Sequence, residues 1–149
     1  MDVRRVSKEF LQPWEPTWPT DGAEKAAFRR RLRRFTEDWH SGDSYPFFIL
    51  HRETDDLLGG ITLSNLRRGV TQAATVGYWM GLPYARRGHM AEAVSLVLDY
   101  AFDDLRLHRV EAACLVHNEP SRNLLLKIGF TEEGVARQYL CIDGRWQDH

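Results

Sequence analysis

The feature that most constrains this chain is an uninterrupted succession of strand, helix and strand in its second half. Thr71 to Met80 reads as a strand and Val110 to Val116 as another. Between them Gly88 to Leu105 reads as a long helix, with Met90, Ala93, Val94, Val97, Leu98 and Ala101 along one side. Connections this short predict parallel strands joined by a right-handed crossover. Ligands of such sheets bind beyond the carboxyl ends of the parallel strands, which directs attention to the residues after Met80 and Val116.

The first half reads differently. Tyr45 to His51 and Leu57 to Leu66 predict an antiparallel pair about a turn at Thr54, Asp55 and Asp56, the second strand loosened by Gly59 and Gly60. Ala23 to Trp39 places Ala27, Phe28, Leu32, Phe35 and Trp39 at helical spacing, and Ser41 with Gly42 ends that helix. Before it, FLQPWEPTWPT crowds three prolines and two tryptophans, which predicts a loop with aromatic anchors. After the crossover come a short helix from Pro120 to Ile128, stopped by Gly129, and a strand from Ala136 to Ile142 entering an Asp143 and Gly144 hairpin turn. The fold class is therefore α/β with a mixed, mostly antiparallel sheet and helices on both faces. With 149 residues, 43% of them hydrophobic, residues 1–149 form one domain around one core.

Composition narrows the function classes. A formal net charge of -1 gives no global pull toward nucleic acid or an acidic membrane. Cys114 and Cys141 lack the spacing of a zinc site and read as core thiols. No apolar run approaches the roughly 20 residues of a membrane helix, and MDVRRVSKEF is no secretion signal, so a cytoplasmic location is expected.

The segment GLPYARRGHMAEA puts Arg86, Arg87, Gly88 and His89 at the opening of the long helix. Unpaired N–H groups at a helix start stabilise phosphate oxygens, a glycine allows close approach, and two arginines add charged donors. A nucleoside triphosphate loop would need its lysine and Ser/Thr, so the pattern favours a diphosphate on another cofactor. A tight loop with solvated arginines is the alternative.

YWMGLPYARRGHMAEAV and LHRVEAACLVHNEPSRNLLLKIGF resemble motifs A and B of the GNAT acetyltransferases, most closely the RimJ/RimL type that acetylates ribosomal-protein N-termini. The resemblance runs from FLQPWEP through GRWQDH. It implies an acetyl-coenzyme A cosubstrate and no metal. Its diphosphate would lie on backbone N–H groups of Arg86, Arg87, Gly88, His89 and Met90, with Ala91 in the same turn, and its pantetheine arm beside Tyr78, Trp79 and Met80. An N–H near Met80 would receive the thioester oxygen. The family's loop has Gln or Arg, then Gly, then Gly or Ala where this chain has Ala85, Gly88 and Met90. The resemblance also places Ser121 near the coenzyme sulfur and Asn118 on the pantetheine side; Asn118 reads equally as a helix cap. Other GNAT enzymes use a tyrosine to protonate the thiolate, and Leu125 stands in its place here.

Glu111 is the expected base. Val110, Ala112, Cys114 and Val116 alternate away from it in a strand expected to be covered on both faces, and burial raises a carboxyl pKa toward a useful value. The alternative is a salt bridge with Arg109 or His108. His117 is a competing base.

For the acceptor side, Trp14 and Trp18 either line a peptide groove or anchor their loop. Arg29, Arg30, Arg31, Arg33 and Arg34 form either a docking face for ribosomal RNA or a solvated helix face. Three functions follow: an N-terminal acetyltransferase of proteins such as ribosomal proteins, an acetyltransferase of a small-molecule amine, and a non-catalytic ribosome-associated module. Family members usually carry a further strand and helix in front and a further strand behind. Both flanks therefore read as clipped, and an unpaired sheet edge would favour a homodimer.

Overall fold

The computed structural model describes residues 2–19 and 25–149. It opens with two short helices, α1 (Val3–Val6) and α2 (Lys8–Leu11), and a 3-10 turn over Gln12–Trp14. The prolines predict a loop from Phe10 onward, yet the chain stays helical as far as Trp14. Pro13 sits in a first turn, where no backbone N–H is required, so it does not break the helix.

Helix α3 (Lys25–Ser41) lies where the apolar spacing placed it; Ala23 and Glu24 of the expected span are outside the described residues. Its Trp39 meets Tyr45 and Phe47 with ring centroids 4.8 and 5.3 Å away and donates from Nε1 to the Pro46 carbonyl at 3.0 Å. Arg29, Arg30, Arg33 and Arg34 are exposed.

The main sheet holds β1 (Tyr45–Leu50), β2 (Leu57–Arg67), β3 (Ala73–Met80) and β4 (Arg109–Glu111) in that order. The first two pairings are antiparallel and β3–β4 is parallel, as the crossover demands. Helix α4 (His89–Asp99) makes the crossover and packs Met90, Val94 and Val97 against Ile61 and Leu63 of β2 and Ala74 and Val76 of β3. The helix predicted to reach Leu105 instead widens into a π-turn over Tyr100–Asp104, where the Leu105 N–H reaches back to the Tyr100 carbonyl at 3.0 Å. That turn buries Ala101 and sets Tyr100 against Trp39, Tyr45 and Phe47.

The strand expected over Val110 to Val116 is the main correction. Only Arg109–Glu111 pairs with β3; beyond it the chain leaves the sheet and turns, the Asn118 N–H donating to the Leu115 carbonyl at 2.8 Å, into α5 (Glu119–Ile128). The final hairpin, β5 (Leu140–Ile142) and β6 (Arg145–Gln147), forms a separate two-stranded sheet, shorter than the expected Ala136 to Ile142. Its turn docks on the N-terminal segment: the Asp143 N–H donates to the Glu15 carbonyl at 3.0 Å, and Gln12 Nε2 donates to Asp143 Oδ1 at 3.1 Å. Of the two expected core thiols, Cys114 is half-buried and Cys141 is exposed.

Candidate active site

The site starts from a mismatch in strand length. β4 runs out opposite Thr75, while β3 continues to Met80, so the residues from Val76 onward have no β4 partner on that edge. β2 occupies the other edge as far as Met80. The two parallel neighbours therefore splay apart, leaving β3 backbone groups available inside the gap.

One mouth of the gap is the loop from Gly81 to Gly88. Its shape is forced by two left-handed residues, Arg86 at φ 60° and Gly88 at φ 88°, separated by Arg87. Such alternation turns successive N–H groups toward one concavity, the arrangement that binds anions. Gly88 is also the N-cap of α4 and has no side-chain cap, so the first N–H groups of the helix are left for a ligand. A Cβ built on Gly88 would meet nothing within 4 Å, so its positive φ, rather than space, is what selects glycine. Arg86 and Arg87 are exposed and ion-pair with no described residue. Met90 is buried in the core. Its place in the motif serves packing by the side chain and leaves only its backbone N–H for a ligand.

Inside the gap, hydroxyls meet. Tyr78 Oη and Ser121 Oγ are 2.7 Å apart, joining β3 to the first turn of α5. Burial pushes the Tyr78 phenol above its ordinary value, with the Ser121 hydrogen bond opposing. The Cys114 thiol also bonds Ser121 and is raised chiefly by burial. Both groups therefore stay protonated at neutral pH. Asn118 caps α5, its Oδ1 accepting from the Ser121 N–H at 3.3 Å, and so fixes the serine on the gap. Leu125 is buried; Tyr78, from the opposite wall, sets a phenol against Ser121.

Glu111 corrects the expectation of a buried, raised carboxyl. It is partly exposed and ion-paired to Arg67 at 2.5 Å and to Arg109 at 2.8 Å. Hydrogen bonds first from Arg109 and then from Arg67 hold its carboxyl below the usual carboxylate range. Its partner across the sheet is Thr75, three residues before Tyr78, roughly 10 Å along a strand. The structure thus realises the ion-pair alternative, with Arg109 also bound to Glu133.

The aromatics of the N-terminal segment are tied down. Trp18 Nε1 donates to Glu15 Oε2 at 2.6 Å, and Arg4 lies over the Trp18 and Trp79 rings at 4.5 and 4.7 Å. The Trp14 ring is 5.5 Å from that of His117. Sequence reasoning missed Arg4 and Glu15, because nothing local pairs residues eleven apart across two helices. Among the described residues no group of three or more His, Cys, Asp or Glu is arranged to hold a metal ion, and no helix is long and apolar enough to cross a membrane.

Residues 2–131 match the acetyltransferase (GNAT) domain family. The chain is 40% identical to the Bacillus subtilis protein named Probable N-acetyltransferase YjcK, covering 100% of this chain and 82% of that one. It is 32% identical to the Escherichia coli [ribosomal protein uS5]-alanine N-acetyltransferase over 99% of this chain and 76% of that one. The solved ribosomal-protein-S5-alanine acetyltransferase of Vibrio fischeri superposes with a TM-score of 0.93 at 30% identity, covering 99% of this chain and 81% of that one. Mycobacterium smegmatis RimJ, solved in complex with a coenzyme A disulfide, gives 0.91 at 30% identity, covering 99% and 71%.

Proposed function

The chain belongs to the GNAT acetyltransferase family and is an acetyl-coenzyme A-dependent acyltransferase, and from that premise we propose that it acetylates the N-terminal α-amine of a protein, a ribosomal protein being the class of acceptor. The observation that carries this reading is the Tyr78 and Ser121 hydroxyl pair, placed between an anion-binding loop and a mouth walled by tryptophan. The kinship with uS5-alanine acetyltransferases supports the choice of acceptor. Such an enzyme works in the cytoplasm.

In this reading the coenzyme diphosphate lies on the N–H groups of Arg86 to Met90, beside His89 and Ala91. The pantetheine arm follows the free edge of β3 past Met80, Trp79 and Tyr78, with Asn118 on the far wall. A neutral amine attacks the thioester carbonyl, and a β3 N–H near Met80 holds the developing oxyanion. The C–S bond then breaks, and the departing thiolate takes its proton from the Ser121 and Tyr78 pair. An α-amine has a pKa near ~8, so about a tenth is neutral at pH 7 and its remaining proton can leave to solvent. Glu111, held by two arginines, stays outside that path.

Thiol release from acetyl-coenzyme A, followed with alanine-starting peptides and with spermidine as a small amine, tests the acceptor. The expected result is a larger kcat/KM for the peptides. Turnover of spermidine alone would replace the reading with a small-amine enzyme, and turnover of neither would remove the protein acceptor as well.

A further inference from the structure

The N-terminal segment does more than anchor itself. It reaches both walls of the gap: the Trp14 ring lies 5.5 Å from that of His117, which precedes α5, while Arg4 lies over both Trp18 and Trp79 of β3. Glu15 lies between the two tryptophans in sequence, and the Asp143 turn closes beside it through the Glu15 carbonyl. Tyr78 and Trp79 are neighbours on an extended strand, so their side chains emerge on opposite faces. Tyr78 faces the core and Ser121; Trp79 faces this aromatic roof. The gap is thus open to the coenzyme sulfur on one face and roofed by indoles on the other.

The Glu15 carboxylate is only half used. Arg4 and the Trp18 N–H both bond Oε2, at 2.7 and 2.6 Å, and Oε1 receives no hydrogen bond from any described residue. Its side chain is 16% exposed, and because no buried side-chain oxygen among the described residues lacks a hydrogen bond, the unbonded Oε1 keeps contact with solvent. A partly desolvated carboxylate oxygen among aromatic rings is a receptor for an ammonium group, since both carboxylate and ring faces attract cations there.

We propose that Glu15 is the acceptor-recognition residue of this acetyltransferase, its free Oε1 binding the acceptor's ammonium group under the Trp14 and Trp18 roof before the amine loses its proton. Arg4 is the positioning residue: it holds Oε2 at 2.7 Å and leaves Oε1 without a described partner. The assignment deepens the reading above and needs only that the acceptor be an amine.

The test compares Glu15→Gln with the unaltered protein, each saturated with coenzyme A. The titrants are the acceptor turned over in the thiol-release assay and its N-acetylated product, which has the same shape without the charge. The expected outcome is at least about a ten-fold loss of affinity for the free acceptor, an unchanged affinity for the acetylated product, and an unchanged KM for acetyl-coenzyme A. Equal weakening of both titrants, or of neither, overturns the proposal. The unaltered protein carries a second form of the test, independent of how the variant folds. Free acceptor should lose affinity as pH rises through the amine pKa near ~8 while the acetylated product does not, and parallel pH curves overturn the assignment. Failure of the protein-acceptor reading shows instead as absent peptide turnover by the unaltered protein.

Discussion

At the scale of single residues, the Tyr78 and Ser121 contact divides chemistry from binding. Replacing Ser121 with Ala removes a hydroxyl 2.7 Å from the phenol without touching the loop proposed for the diphosphate. The expected result is a fall in kcat of about ten- to a hundred-fold, the usual worth of a positioned proton donor, with coenzyme A affinity kept within a few-fold by calorimetry. Tyr78→Phe should act in the same direction. Gly88→Ala should do the opposite, because φ 88° costs an alanine about 1 kcal/mol or more and leaves the hydroxyls alone: coenzyme A binding weakens several-fold while kcat at saturation holds. Glu111 shows where residue reading failed. A carboxyl in an expected strand looks buried, but only the tertiary fold reveals that Arg67 arrives from β2 beside Arg109.

At the scale of elements, the hydrophobic period located β1, β2, β3 and α4 well, because each buries one face in the same core. What it could not locate was where β4 stops. Val110 to Val116 carries the residues of a strand, and its departure from the sheet after Glu111 is decided by the turn at Leu115 and the cap at Asn118. Asn118→Ala should therefore cost about 1 kcal/mol in thermal unfolding, the typical worth of an N-cap, and also lower kcat by loosening Ser121. Leu63→Ala, at a fully buried site beneath α4, should cost about 3 kcal/mol and serves as the packing control that shifts stability without an equal effect on turnover per folded molecule. The prolines of the N-terminal stretch were legible as punctuation but not as helix starts, since Pro13 in a first turn and a proline in a loop look alike in sequence.

At the scale of the whole molecule, charge pairs bind the end of β4 to its surroundings. Glu111 and Glu133 both have their carboxyls lowered by Arg109. A lowered folded pKa gives stability that is present above the unfolded carboxylate value and lost as pH falls through the folded one. Thermal unfolding followed from pH 7 down into the acid range should show a midpoint that drops through that window, with Glu111→Gln flattening the slope and added salt weakening it, since these groups are exposed. The crossover architecture was readable from sequence because it is local in the chain, as is the loop proposed for the diphosphate. The proposed acceptor side was legible only in Trp14 and Trp18, because it is assembled from residues 4, 14, 15, 18, 79 and 117. The first eighteen residues also reach the other substrate: the buried Ser7 hydroxyl accepts the Leu82 N–H at 2.9 Å, bracing the start of the loop assigned to the diphosphate. One short segment thus links the residues proposed for the amine to the loop proposed for the diphosphate, and a coupling between the two sites follows as a prediction. Loading the protein with coenzyme A should tighten the amine, the amine should tighten coenzyme A by the same factor, and Ser7→Ala should uncouple the two before it abolishes either.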